Sequence, residues 1–552
     1  MANAFHITSR ICASPPKEPS SLGSDLGSEN SNSVSLEGSI TLSDEPTVQV
    51  GNPGSEQKKK IIVVGAGIAG LRCASVLQRH GMDVVVLEGR DRIGGRIHTT
   101  RTSKGVRDIG MLLTYINDVA ATELQTCVGA AWMHETSQNK LVKLINKLGI
   151  EYYYDDGMAA TYLEHGRAGA QFKAKKTADE FADHCAWFYE NHPDAPDVSV
   201  ADFARQFVRD HELITDDDRA WGPQALKEVE LWIGISTELA SSKNLSYFIT
   251  ERNLYMKGGY DGIVGWVSDS LADKSVHLSS VVEDIEWTDH GSTACNVTYR
   301  DNHGVIHSMS ADAIVCTVPL GVLHRNLISF NPPLPDDLRR GLSSVSYGAL
   351  GKVFFEFADV FWSKENDQFI YYPSPPVMTG DDVSSSSFGS ISSALDSDNI
   401  LNYCTVTINL WIMSNSKQLC VQIAEPLTQR IEAMEDEKAL YKFFEPLFKV
   451  LRTEPYKALP KLLSVESTHW TQDPLAGYGS YSADKVGDEA ELWMEALNNH
   501  KGSRLQFAGE HCTLTGNGCV HGAFATGERA ATNLLEVFDV TYDGGDLVSL
   551  TV

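Results

Sequence analysis

An α/β fold, in which a parallel sheet is interleaved with an α+β domain on a mixed sheet, is predicted by three features of this 552-residue sequence. First, the apolar run Ile61-Ile62-Val63-Val64 leads into Gly65-x-Gly67-x-x-Gly70, then a helical stretch, then a second apolar run ending at Glu88. That is the strand–turn–helix–strand order of a Rossmann-like βαβ unit. Second, the texture changes at Gly258-Gly259. Before it, Lys175 to Tyr189 and Val200 to Asp210 repeat at helical spacing. After it come short β-type runs at His277–Leu278, Val281 to Trp287, Cys295 to Tyr299 and Ala313 to Val318. Third, Leu505 to Gly509 and Gly522 to Phe538 form another strand, glycine turn and helix near the far end. Between these, Gly348 to Phe357 alternates as a strand and Glu489 to Asn498 reads as a helix.

A chain of 552 residues exceeds one ordinary hydrophobic core, so two intertwined domains are expected. Residues 58–139, 257–330 and 460–540 are assigned to a dinucleotide-binding domain, and 140–256 and 331–459 to a substrate-binding domain. Residues 1–57 read as a disordered leader, 380–397 as a low-complexity surface loop and 541–552 as a tail. The net charge of −27 argues against nucleic-acid partners, which require a basic footprint, and suits the steering of small cations. Ten cysteines without C-x-x-C or zinc spacing are expected to be reduced and mostly buried, with no metal site. No apolar run reaches the roughly 18 residues of a membrane span. The N-terminus lacks a signal-peptide core, and Leu550-Thr551-Val552 is not the S-K-L address, so a cytoplasmic protein is expected.

On the first turn, Gly65 permits a tight bend, Gly67 lets a pyrophosphate approach the backbone, and Gly70 allows close helix–strand contact. With Ala66 between them these make the phosphate-facing set. The helix start adds unpaired N–H groups and a positive dipole end. Glu88, 23 residues past Gly65, stands where an acid accepts hydrogen bonds from ribose hydroxyls.

The run Leu87-Glu88-Gly89-Arg90-Asp91-Arg92-Ile93-Gly94-Gly95-Arg96 resembles the flavin-containing amine oxidases, closest to the polyamine oxidases. So do Phe507-Ala508-Gly509-Glu510-His511, Val520-His521-Gly522-Ala523 and Pro319-Leu320-Gly321-Val322-Leu323. The resemblance covers nearly all of Lys58 to Phe538 and implies a flavoprotein of the two-dinucleotide-binding-domain (GR2) type. It implies FAD with Arg90 and Arg96 near its adenosine and pyrophosphate, and the Val282 backbone facing the adenine. Gly509 and Glu510 would meet the ribityl–phosphate region, the Val520 amide the pyrimidine edge, and Trp470 the flavin ring. Ser480 stands where monoamine oxidases carry the flavin-linked cysteine, so FAD is expected to be noncovalent.

For the chemistry, Gly351-Lys352-Val353 with Phe361-Trp362 resembles the segment whose lysine reaches flavin N5 through a water. A snorkelling lysine on an edge strand is the plainer alternative. Gly479-Ser480-Tyr481-Ser482 resembles the stretch whose tyrosine walls the substrate slot, an arrangement suited to amines through cation–π contact. Cys519 falls where the facing wall is often tyrosine, leaving the cage half open. Ala130-Ala131-Trp132-Met133-His134 resembles G-A-x-W-x-H, which implies that His134 hydrogen-bonds a substrate nitrogen. The implied reaction takes hydride from a C–N carbon, hydrolyses the imine and passes electrons to O2, giving H2O2. Spermine, spermidine or acetylated forms are the expected substrates. L-amino-acid oxidase, which should show an arginine clamp, lysine-demethylase-like oxidase and a silent flavoprotein scaffold are the alternatives.

One departure stands out. The family pattern D-L-G-A-x-W-x-H is interrupted here between Gly110 and Ala130, and removing the 19 residues Met111 to Gly129 restores it in frame. A retained intron in the gene model and a genuine loop rimming the cleft are the two readings.

Overall fold

A computed structural model describes residues 58–102, 124–127, 129–137, 139–155, 158–211, 215–247, 253–290, 294–375 and 398–544. The expected leader, the 380–397 loop, positions 545–552 of the tail and positions 111–123 and 128 of the inserted stretch lie outside these. The fold is mixed α/β with several sheets.

A five-stranded parallel sheet is built from β1 (Lys60–Val64), β2 (Asp83–Leu87), β3 (Val276–His277), β4 (Ala313–Cys316) and β5 (Leu505–Phe507). Their order is β3-β2-β1-β4-β5, with every pair parallel. The central strands are apolar on both faces because both faces are covered. Helix α1 (Ile68–Arg79) joins β1 to β2 and packs along α2 (Val520–Val537), the helix that follows β5. The contact is made backbone to backbone. A Cβ on Gly527 of α2 would stand 2.1 Å from the Ala69 carbonyl oxygen, and one on Gly70 would stand 2.0 Å from the Gly65 oxygen. Two stretches more than 400 residues apart are thereby brought side by side.

The second large sheet has seven strands in the order Leu462–Ser467, Gly351–Phe357, Gln418–Ile423, Thr405–Asn409, Gln368–Tyr371, Ala160–Leu163 and Gly166–Arg167. It is mixed: Gln368–Tyr371 and Ala160–Leu163 run parallel, and the other pairs antiparallel. Alternation along Gly351–Phe357 sends Val353, Phe355 and Phe357 into an aromatic core against the helix Glu437–Leu451. Phe355 meets Phe448 there with centroids 4.7 Å apart. Lys352 and Phe354 face the other way.

Three local expectations shift. Gly348 to Phe357 is broken at Ala349-Leu350, because Ser346–Gly348 leaves the sheet to pair with Tyr481–Ala483. The V-H-G-A stretch is the first turn of α2, not a turn before it. Gly522 is needed there for clearance, since a Cβ on it would lie 2.1 Å from the Gly516 oxygen. The strand Ile306–Ala311 was not anticipated and completes an antiparallel pair with Cys295–Arg300. None of Cys73, Cys185, Cys295, Cys316, Cys404, Cys420, Cys512 and Cys519 forms a disulfide among the described residues, and all but Cys519 are buried. Among the described residues no helix is long and apolar enough to cross a membrane.

Candidate active site

A cavity of about 1210 Å³ is lined from both sheets. Gly65, Gly67, Glu88, Arg90, Arg96, Val282, Trp470, Gly509, Glu510 and Val520 all line it. Lys352, His134, Tyr481 and Cys519 line it too. Two expected residues do not. Ala66 acts behind the surface, its N–H donating to Glu88, and Gly70 serves the packing of α1 on the turn.

The start of α1 at Gly67 and the start of α2 at Cys519 both open on the cavity with neither a side-chain cap nor an acidic residue in the first turn. Both helix starts therefore offer their dipole ends to an anion. A Cβ on Gly67 would meet nothing within 4 Å, so a ligand can approach the backbone on that side. The Glu88 carboxylate is held at the end of β2 by N–H groups of Ala66 (2.6 Å) and Arg90 (2.9 Å). Arg90 is ion-paired with Asp473 at 2.7 Å.

Midway, Arg96 Nη1 donates to Glu510 Oε1 and to the Ser480 carbonyl, each at 2.8 Å. Glu510 also accepts from the Ser482 hydroxyl (2.6 Å) and the Gly518 N–H (2.9 Å). Burial pushes the Glu510 carboxyl up, but Arg96, His511 and Ser482 outweigh it and hold the group below the usual carboxylate range. His511, which sequence reasoning quoted without assigning a role, is 2 % exposed and lines the cavity. Neither of its ring nitrogens has a hydrogen-bond partner among the described residues. Burial, with Arg96 adding to it, pulls the ring down to about 4 against the opposing Glu510 charge, so it is neutral. Two uncapped helix starts, an unobstructed glycine backbone and an orphaned buried imidazole fit the phosphates and hydroxyls of a dinucleotide such as FAD.

At the other end, Lys352 projects from an interior strand and is 7 % exposed, which excludes the snorkelling edge-strand alternative. Its Nζ donates to the Gly129 carbonyl at 2.6 Å and lies 5.3 Å from the Trp132 ring centroid. Its backbone N–H donates to Thr468 Oγ1 (3.0 Å), which donates in turn to Glu432 at 2.5 Å. Glu432 also receives the Thr471 N–H and hydroxyl, both at 2.6 Å, beside Trp470. One buried carboxylate thus braces the backbone of both Lys352 and Trp470. No local motif announces Glu432, because its partners lie on another element.

His134 Nδ1 lies 2.8 Å from Asn253 Oδ1. Burial lowers its affinity for a proton, with the Asn253 contact opposing, so the ring is neutral near pH 7. Tyr481 donates its hydroxyl to the Trp232 carbonyl at 2.8 Å, and its ring edge packs against Gly518. Trp132 Nε1 donates to Asp155, a second residue that sequence reasoning missed. From the inserted stretch, Leu124–Cys127 pairs with Thr99–Thr102, and Gly129 supplies the carbonyl that Lys352 meets.

Parallel-sheet nucleotide architecture, a cavity continuous between two separated sequence motifs and a buried lysine on its wall define a flavin-dependent oxidoreductase. A family model described as flavin containing amine oxidoreductase matches residues 68–535, and the chain belongs to that family. FAD is the usual cofactor of its members. The chain is 27% identical over 501 residues to a "Corticosteroid-binding protein" of Candida albicans, covering 86% of this chain and 96% of that protein. It is 27% identical over 493 residues to "Polyamine oxidase 4" of Oryza sativa subsp. japonica, covering 85% and 87%. To "Lysine-specific histone demethylase 1 homolog 1" of Arabidopsis thaliana it is 24% identical over 491 residues, covering 86% of this chain and 52% of that protein.

Proposed function

We propose that this chain oxidises polyamines such as spermine and spermidine, or their acetylated forms, with noncovalent FAD and O2, releasing an aldehyde, an amine and H2O2. The observation that carries the reading is the buried Lys352 ammonium, held between the Gly129 carbonyl and the Trp132 ring on the cavity wall. Burying an ammonium on a cavity wall is costly even where a carbonyl and a ring share it, so a lysine kept there has a task. The match along nearly the full length of the rice polyamine oxidase, against about half of the demethylase, favours a small amine over a histone tail.

In this reading, residues 58–139, 257–330 and 460–540 hold FAD in the GR2 manner, and 140–256 and 331–459 shape the substrate slot. Bound FAD supplies a two-electron acceptor that O2 can reoxidise. The protein does the rest. Arg96 and the start of α1 take the pyrophosphate, the Val520 amide at the start of α2 meets the pyrimidine edge of the ring, and Glu88 takes the ribose. Glu510, already saturated with donors, orders the wall against the ribityl chain. Trp470 packs near the flavin ring, and Tyr481 walls the substrate slot and excludes competing water. His134, with Nδ1–H directed at Asn253, keeps Nε2 as an acceptor for the amine N–H. Lys352 either orients the water that hydrolyses the imine or assists the reoxidation of the flavin. Ser480 has no sulfur to attach the flavin.

The test is peroxide release by purified yellow protein on a panel of polyamines, monoamines and amino acids, with Lys352→Met alongside. Polyamine-dependent peroxide that falls about 100-fold or more in Lys352→Met is expected, the range of a lost proton-handling group. Peroxide from amino acids alone would overturn the polyamine assignment.

A further inference from the structure

The backbone of Glu135, immediately after His134, adopts φ +54°. That left-handed conformation is disfavoured for any residue with a Cβ and is usually left to glycine. Strain of this kind persists where surrounding structure holds it, and it concentrates at ligand clamps. Here the side chain it directs lines the cavity. His521 Nε2 donates to Glu135 Oε2 at 3.2 Å, in a pair whose side chains are only 15% and 17% exposed. The His521 ring is itself held, packed on Gly516 so closely that a Cβ there would stand 2.3 Å from Nε2.

The pair sits at the gap in the amine cage. Glu135, Cys519 and Tyr481 line the cavity together, while His521, two residues past Cys519 in the first turn of α2, reaches Glu135 from outside that lining. Burial and then the nearby Glu135 charge push the Cys519 thiol up to about 12, so this wall carries no thiolate to compete for a cation. A second aromatic ring is missing there, and a carboxylate stands beside the vacancy.

We propose that Glu135 is the anchor for a second, protonated nitrogen of the substrate, replacing an aromatic wall with a charge. The proposal rests on the polyamine oxidation put forward above. In the free protein His521 shares the carboxylate. In the complex the substrate ammonium donates to Glu135 while the neutral nitrogen that reacts lies against Tyr481. The device selects amines with two or more nitrogens over alkyl monoamines of equal length, because only the former place a cation at Glu135.

The test measures KM for spermidine and for n-hexylamine on the flavin-loaded protein, comparing the native chain with Glu135→Gln and Glu135→Gly. Gln removes the charge at nearly constant shape. Gly suits the left-handed backbone and removes the side chain. Both variants are expected to raise the spermidine KM about tenfold to a hundredfold and to collapse the hexylamine-to-spermidine KM ratio by a similar factor, as loss of a charge-assisted hydrogen bond requires. A structural role for the residue would shift both KM values together or spare the glycine variant, and either result overturns the anchor. A native protein that oxidises no amine overturns the underlying function and the anchor with it. An active native protein with an unchanged ratio in both variants overturns the anchor alone.

Discussion

Glu510 draws donors from three directions onto one carboxylate, and that convergence makes its charge part of the stability of the protein. Burial acts against ionisation, but Arg96 at 2.8 Å and Ser482 at 2.6 Å prevail, so the folded value lies below the unfolded one near 4.5. For a depressed carboxyl the stabilisation is present above the unfolded value and is lost as pH falls through the folded value. Urea unfolding of the native protein should therefore show stability declining below about pH 4.5, and Glu510→Gln should lose that segment of the decline. At pH 7 the same variant should be destabilised by about 1–3 kcal/mol, because it takes the carboxylate from a half-buried Arg96 that keeps its bond to the Ser480 carbonyl. A Gln variant with native stability at pH 7 would remove Glu510 from this role. At this scale the sequence was informative wherever a site residue sits in a contiguous motif. Glu88, Arg96, Glu510, Trp470 and Lys352 were all legible for that reason. Glu432 and the Glu135–His521 pair were not, since each acts on residues carried by another element.

The helices α1 and α2 show how elements join the two motifs. Each begins on the cavity, and each is held to its place by a glycine where any larger residue collides. Gly527 is unfavourable for an isolated helix, yet its missing Cβ is what lets α2 lie against the Ala69 carbonyl. Gly527→Ala should accordingly destabilise the protein by about 1–3 kcal/mol despite the better helix propensity, the usual cost of overpacking. It should also weaken FAD retention, measured as the fraction of protein-bound flavin surviving gel filtration. Equal stability and equal retention would show that the helix contact relaxes freely. Parallel strands such as β1 were legible because burial on both faces leaves an unbroken apolar run. The start of α2 was misjudged, because Gly522 reads locally as a turn and only the approach of Gly516 explains it. Ile306–Ala311 escaped notice because its exposed face carries Ile306, Ser308 and Ser310, a pattern with little apolar signal.

At the scale of the whole molecule, a net charge of −27 accompanies a cavity proposed to take a polycation. Long-range attraction of that kind is screened once the Debye length falls to about 10 Å near 0.1 M salt and about 3 Å at 1 M. The kcat/KM for spermidine should fall several-fold between low and high NaCl, and that for hexylamine, with its single charge, should fall less. Steady-state peroxide rates across a salt series check this, and parallel salt responses for the two amines would show that the charge serves solubility alone.

The order of strands and helices, the nucleotide-binding turn and the membership in a flavin oxidase family were all determined by local sequence, because each depends on residues adjacent in the chain. Tertiary structure alone decided that His511 is an unpartnered ring on the cavity wall, that Lys352 is interior, and that Glu135 meets His521 across 386 positions. Those facts are distances and burial between distant segments. A periodicity or a motif, which records only neighbours along the backbone, carries no information about them.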